Sequence, residues 1–101
     1  MATPEQVLEA IHKVEHPEIA MTLVDLGMVR DIQIEEQEQK VTLTLVLPFL
    51  GIPEAVRNYM INSLYQAIKE QGYELAKVYI AQMTEEERQA FFEKEHKHWR
   101  G

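Results

Sequence analysis

Apolar residues recur at helical spacing in two stretches of this chain and at every second position in three others. Thr3 suits an N-cap, Pro4 the first helical position, and Gln6 completes the spacing of a capping box. Val7, Leu8, Ile11 and Val14 then form one stripe, and the helix must stop before Pro17, which disfavours helical backbone at the preceding residue. Beyond the His16-Pro17-Glu18 loop, Ile32 and Ile34 alternate with Asp31, Gln33 and Glu35. The polar run 36–39 turns the chain, and Val41, Leu43, Leu45 and Leu47 alternate with Thr42 and Thr44, so the two strands are expected to pair as a hairpin. Pro48 to Pro53 breaks the second strand. Pro53 opens a helix whose Val56, Met60, Leu64 and Ala67/Ile68 face the sheet as far as Gly72. Ala76, Val78 and Ile80 alternate with Leu75, Lys77 and Tyr79 as a third strand, and Thr84 to Glu87 has the spacing of a second capping box. The resulting expectation is one domain over 1–101, an α+β two-layer sandwich of order α-β-β-α-β-α with a three-stranded mixed sheet and a last helix over about 84–99.

Composition narrows the chemistry. Seventeen acidic residues against ten basic ones give a formal charge of -7, a surface that repels phosphate backbones and anionic lipid, so no nucleic acid and no membrane is expected as a partner. Lys94, Lys97 and Arg100 gather where a helix ends and suit its dipole. With no cysteine, the chain has no disulfide, thiolate ligand or nucleophilic thiol, which leaves carboxylates and four histidines as the strong candidate ligands. No cationic leader and apolar block opens the sequence and no run reaches membrane length, so a cytoplasmic setting is expected.

His16-Pro17-Glu18, followed by Leu23-Val24-Asp25-Leu26-Gly27-Met28-Val29, resembles the Asp-Pro-Glu and Val-Asp-Leu-Gly-Leu-Val signature of the SufT and PaaD family (domain of unknown function 59). In that family an alternating strand then enters a loop ending Gly-Cys-Pro before the second helix. Here Val41 to Leu47 enters Gly51-Ile52-Pro53, and the resemblance runs from about Val7 to Ile80. It implies an accessory factor in iron–sulfur cluster assembly, or one that helps an oxygenase complex obtain its metal centre, more adaptor than enzyme. By the same resemblance Glu18 and Asp25 match acidic positions, Gly27 the turn glycine, and Gly51 and Pro53 flank the cysteine position that Ile52 occupies. His16 stands where aspartate is usual.

A thiolate binds iron or attacks a disulfide, and an aliphatic side chain does neither. Thiol-based transfer through position 52 is therefore excluded, and the expected role of the segment is contact with a protein partner, an iron–sulfur assembly or oxygenase component. Its candidate residues are Glu18, Asp25, Gly27, Phe49, Leu50, Gly51, Ile52 and Pro53. No catalytic, metal or cofactor residue is assigned. Gly27 and Gly51 read as positions that need positive φ.

Two other functions compete. A metal-dependent or acid–base enzyme would use Asp25 and Glu18, yet there is no Ser/His/Asp order, no His-Glu-x-x-His and no glycine-rich phosphate loop. Asp25 before Leu-Gly reads more simply as a cap or an Asx-type acceptor, whereas for Glu18 capping and function weigh equally. The other competitor is a structural homodimer. Glu93, Glu95, His96 and His98 hold two Glu-x-x-His spacings, but His96 and His98 lie about 200° apart around a helix, which favours a solvated helix end over a metal site. Phe91, Phe92, Trp99, Tyr59, Tyr65 and Tyr73 read first as packing residues, and His12 and His16 as surface residues.

Overall fold

The computed structural model describes residues 2–98; Trp99 and Arg100 lie outside them. The elements follow in the order α1 (Pro4–His12), β1 (Val29–Glu35), β2 (Lys40–Leu47), α2 (Glu54–Glu70), β3 (Glu74–Gln82) and α3 (Glu85–His98). β1 and β2 form an antiparallel hairpin and β2 pairs in parallel with β3, giving a three-stranded mixed sheet with β2 in the centre. Parallel strands need a long crossover, and α2 is that connection. α2 packs on β3 and on α1. Among the described residues no helix is long and apolar enough to cross a membrane.

Both capping boxes form. The Thr3 N–H donates to Gln6 Oε1 at 2.9 Å while the Gln6 N–H donates to Thr3 Oγ1 at 3.2 Å. At α3 the Thr84 N–H donates to Glu87 Oε1 at 2.9 Å and the Glu87 N–H to Thr84 Oγ1 at 3.2 Å. Each pair satisfies donors that a helix start leaves open. Pro53 is the N-cap of α2, and its carbonyl accepts from Val56 and Arg57 at 3.0 and 3.1 Å.

The core follows the sequence periods. Val7 and Ile11 on α1, Met60, Leu64 and Ile68 on α2, and Val41, Leu43, Leu45 and Leu47 on β2 are buried. Each such side chain contributes about 1.5–3 kcal/mol through removal of apolar surface from water.

Three details depart from the sequence reading. First, α1 ends at His12, a turn before Pro17. Val14 and His16 are drawn instead into a small hairpin, with Leu23 N–H donating to Val14 O at 2.9 Å and His16 N–H to Met21 O at 3.1 Å. Second, β3 carries an irregularity at Ala76, because Leu75 pairs with Val41 while Lys77 pairs with Thr42. The extra residue moves Leu75 into the phase of Val78, so these two pack against the core and Ala76 is exposed; Ile80, in phase with Val78 but towards the strand end, stays 44 % exposed. Third, Thr44 and Val46 are buried although the alternation sends them outward.

Leu64→Ala is expected to lower unfolding free energy by about 2–5 kcal/mol, read from chemical denaturation, since it leaves a cavity beneath β2 and β3. A second expectation concerns pH. The Glu87 carboxyl is held below the ordinary carboxylate range by the Thr84 N–H first, then by the Thr84 hydroxyl, with a smaller pull from Arg30. A depressed folded value means that this contribution is present above the unfolded carboxylate pKa and is lost as pH falls through the folded value. Glu87→Gln keeps an acceptor with no proton to gain. The gap between wild-type and variant denaturation midpoints is therefore expected to shrink between roughly pH 5 and pH 3.

Candidate functional site

Leu23 to Met28 forms a turn that ends like a helix. The Met28 N–H donates to Leu23 O at 2.9 Å and the Gly27 N–H to Val24 O at 3.0 Å, the two bonds of a Schellman motif. Gly27 supplies the left-handed residue that this motif needs, at φ 76°. Gly72 repeats the arrangement after α2, with φ 80° and Tyr73 N–H donating to Ile68 O at 3.2 Å. In each motif the residue after the glycine and its partner carbonyl's residue are both buried.

The side-chain acceptor of the first turn is Thr22 rather than Asp25. Thr22 Oγ1 accepts from the Asp25 N–H at 3.1 Å, while the Asp25 carbonyl accepts from Lys94 Nζ at 2.7 Å. Thus Asp25 is exposed and held by its backbone. α3 is fastened to the same loop once more, by Ala20 N–H donating to His98 O at 2.8 Å, and to β1 by the Arg30–Glu87 ion pair at 3.4 Å.

His16 is buried, which corrects the expectation of a surface residue. Its Nδ1 accepts from the Glu18 N–H at 3.0 Å, a bond that orders the His16-Pro17-Glu18 bend and requires Nδ1 to carry no proton. Hydropathy patterns give no hint of this, because burial here comes from the bend itself.

These segments converge on a cleft of about 190 Å³. His16, Glu18 and Met28 line one side, Pro48, Phe49, Ile52, Pro53 and Val56 another, and Phe91, Phe92 and Glu95 of α3 a third. Among the candidate residues read from the sequence, Glu18, Phe49, Ile52 and Pro53 meet here. Asp25, Gly27, Leu50 and Gly51 do not line the cleft, and Leu50 is 62 % exposed beside it. Glu18 and Asp25, the acid–base pair an enzyme would need, are therefore not brought to one cleft. The α3 wall is the part that sequence reasoning missed; only the aromatic pair Phe91-Phe92 signalled it.

Gly51 is not among the positive-φ glycines, and a Cβ there would meet Phe49 Cδ2 at an ordinary 3.7 Å. The expectation that it serves positive φ is corrected. A second, larger cleft of about 420 Å³ lies between α1 and α2, lined by Gln6, Glu9, Ala10, Lys13, Val14, Ala67, Glu70 and Gln71. Its surface is about half polar and it shares no residue with the first.

The donors lining the apolar cleft are an imidazole whose Nδ1 is engaged and two carboxylates. Among the described residues no three His, Asp or Glu side chains gather to hold a metal ion. With Ile52 in its lining and no sulfur ligand stronger than the Met28 thioether, this set does not fit an iron–sulfur cluster, whose irons are held chiefly by thiolates.

The chain is thus a small α+β domain with an apolar cleft beyond the end of β2. Residues 4–78 match the model of a family described as iron–sulfur cluster assembly protein, and the chain belongs to that family. The crystal structure of a domain of unknown function, DUF59, from Bacillus anthracis superposes with a TM-score of 0.53 over 88 % of each chain. At 18 % identity this likeness shows the fold. No curated protein matches the chain. The matched span holds the His16 bend, the Gly27 turn and the 48–53 loop, and it ends before α3.

Adding a Cβ at Gly27 meets nothing within 4 Å, so Gly27→Ala is expected to cost only the backbone term of about 1–2 kcal/mol. Gly51→Ala is expected to stay within about 0.5 kcal/mol of wild type. Paired denaturation curves measure both.

Proposed function

We propose that this chain is a non-enzymatic accessory protein in iron–sulfur cluster assembly or metallo-oxygenase maturation, working in the cytoplasm by protein–protein contact without a thiolate ligand. The observation that carries the reading is Ile52, an aliphatic side chain in the apolar cleft at the position where the family resemblance puts a reactive cysteine. A scaffold of this family that has no sulfur nucleophile can still present a surface. Phe49 and Leu50, 43 % and 62 % exposed, give the 48–53 loop an apolar tip of the kind that anchors interfaces. Cargo would then be held by the partner.

The test is affinity capture from the native host, with captured proteins identified by mass spectrometry. The tagged wild type is expected to retain identified cluster-assembly or oxygenase components, and Leu50→Asp to lower that recovery at least about tenfold, the loss expected for a central anchor worth over 1 kcal/mol. Recovery of none of these components by the wild type would sink the reading.

A further inference from the structure

We propose that the cleft between the 48–53 loop and α3 is a socket for one apolar side chain of a partner protein, in a segment where that side chain is flanked by lysine or arginine. The proposal rests on the adaptor reading and adds the chemistry of the partner.

Size comes first. Sites for cofactors and drug-sized molecules usually enclose about 300–1,000 Å³, and this cleft encloses about 190 Å³. That is room for a leucine or phenylalanine side chain. The interior is apolar, built from Met28, Phe49, Ile52, Val56, Phe91 and Phe92, and it offers little to a polar metabolite. Phe92, 41 % exposed, and Phe49 leave apolar surface beyond the cleft for the residues on either side of the anchor.

Charge then selects the flanks. Apart from His16, the ionisable residues lining the cleft are Glu18, on the bend, and Glu95, on α3, and among the described residues no lysine or arginine lines it. Lys94, the cation adjacent to Glu95 in sequence, is turned to the Asp25 carbonyl. Two carboxylates from different elements at an apolar opening, on a chain of charge -7, attract a cationic segment and repel an acidic one. A second copy of this acidic chain is a poorer fit for the same reason. Because α3 lies outside the 4–78 span matched by the family, this wall, with Phe91, Phe92 and Glu95, belongs to the part of the chain that the family model does not describe.

The probes are three capped pentapeptides, Gly-Arg-Leu-Arg-Gly, Gly-Glu-Leu-Glu-Gly and Gly-Arg-Ala-Arg-Gly, titrated into the whole protein while methyl NMR signals are followed. The Arg-Leu-Arg peptide is expected to shift the Met28, Ile52 and Val56 methyls and to bind roughly tenfold more tightly than either of the others, the size of effect that two exposed charge pairs or one lost anchor gives. A protein carrying Glu18→Lys and Glu95→Lys, the first exposed and the second half-buried at the cleft, neither in the buried core, is expected to prefer the Glu-Leu-Glu peptide. Equal affinities for the three peptides, shifts confined to other methyls, or cleft shifts that follow protein concentration without peptide would each overturn the proposal. If the peptides fail while Leu50-dependent capture of assembly components persists, the socket falls and the adaptor reading stands. If they bind as expected and no assembly component is captured, the socket stands and the pathway assignment falls.

Discussion

The walls of the apolar cleft are all tied to the end of one strand. β2 is central and buried, and its last two residues fasten the segments on either side: Val46 N–H donates to Met28 O at 2.7 Å, and Met83 N–H donates to Leu47 O at 2.8 Å. The first bond brings in the turn that precedes β1. The second brings in the chain just before α3. From Leu47 the backbone leaves directly into the 48–53 loop, so three walls of the cleft meet within a few residues of one another. In open sheets ligands tend to lie beyond the carboxyl ends of parallel strands, where connections diverge and leave a crevice. β2 and β3 are the parallel pair here, and the cleft lies beyond the end of β2.

The hydrophobic period and the caps were enough to place the elements, because both are local. Thr3 with Gln6 and Thr84 with Glu87 bond as their spacing demands, and the positions of Met60, Leu64 and Ile68 put α2 on the sheet. Departures occur where one residue's backbone decides. Asp31 and Gln39 adopt φ of 54° and 56°, the first at the irregularity in β1 and the second in the hairpin turn, and neither residue type announces a left-handed position as glycine does. Ala76 shifts the phase of β3 for a reason of the same kind: one unpaired residue reverses which side chains meet the core.

The site was half legible. The 48–53 loop and Glu18 came from motif spacing, which orders residues along the chain, but the burial of His16 and the closeness of α3 depend on contacts between residues far apart in sequence. Asp25 shows the limit most clearly. Its place before Leu-Gly suggested a side-chain acceptor, and the turn uses the hydroxyl of Thr22 three residues earlier, with Asp25 contributing its backbone. Either residue type can cap such a turn. Which one does so follows from where the chain enters.

The exchange of a thiolate for Ile52 changes the physics of the loop more than its shape. A cysteine there would act through one coordinate bond, strong and directional, and its surroundings would be shaped by the need to ionise sulfur. Isoleucine acts through area, at roughly 25 cal/mol per Å² removed from water, so its worth grows only with apolar neighbours that also become covered. The structure supplies those neighbours from two sources. Phe49 and Val56 come with the family's loop and helix, while Phe91 and Phe92 come from α3, itself held in place by Lys94, Glu87 and the His98 carbonyl. Without α3, Ile52 would stand on an open ledge where contact with one partner side chain leaves much of both in water. With it, the same side chain forms part of an apolar cleft walled on three sides, and a surface without a thiolate offers apolar area in its place.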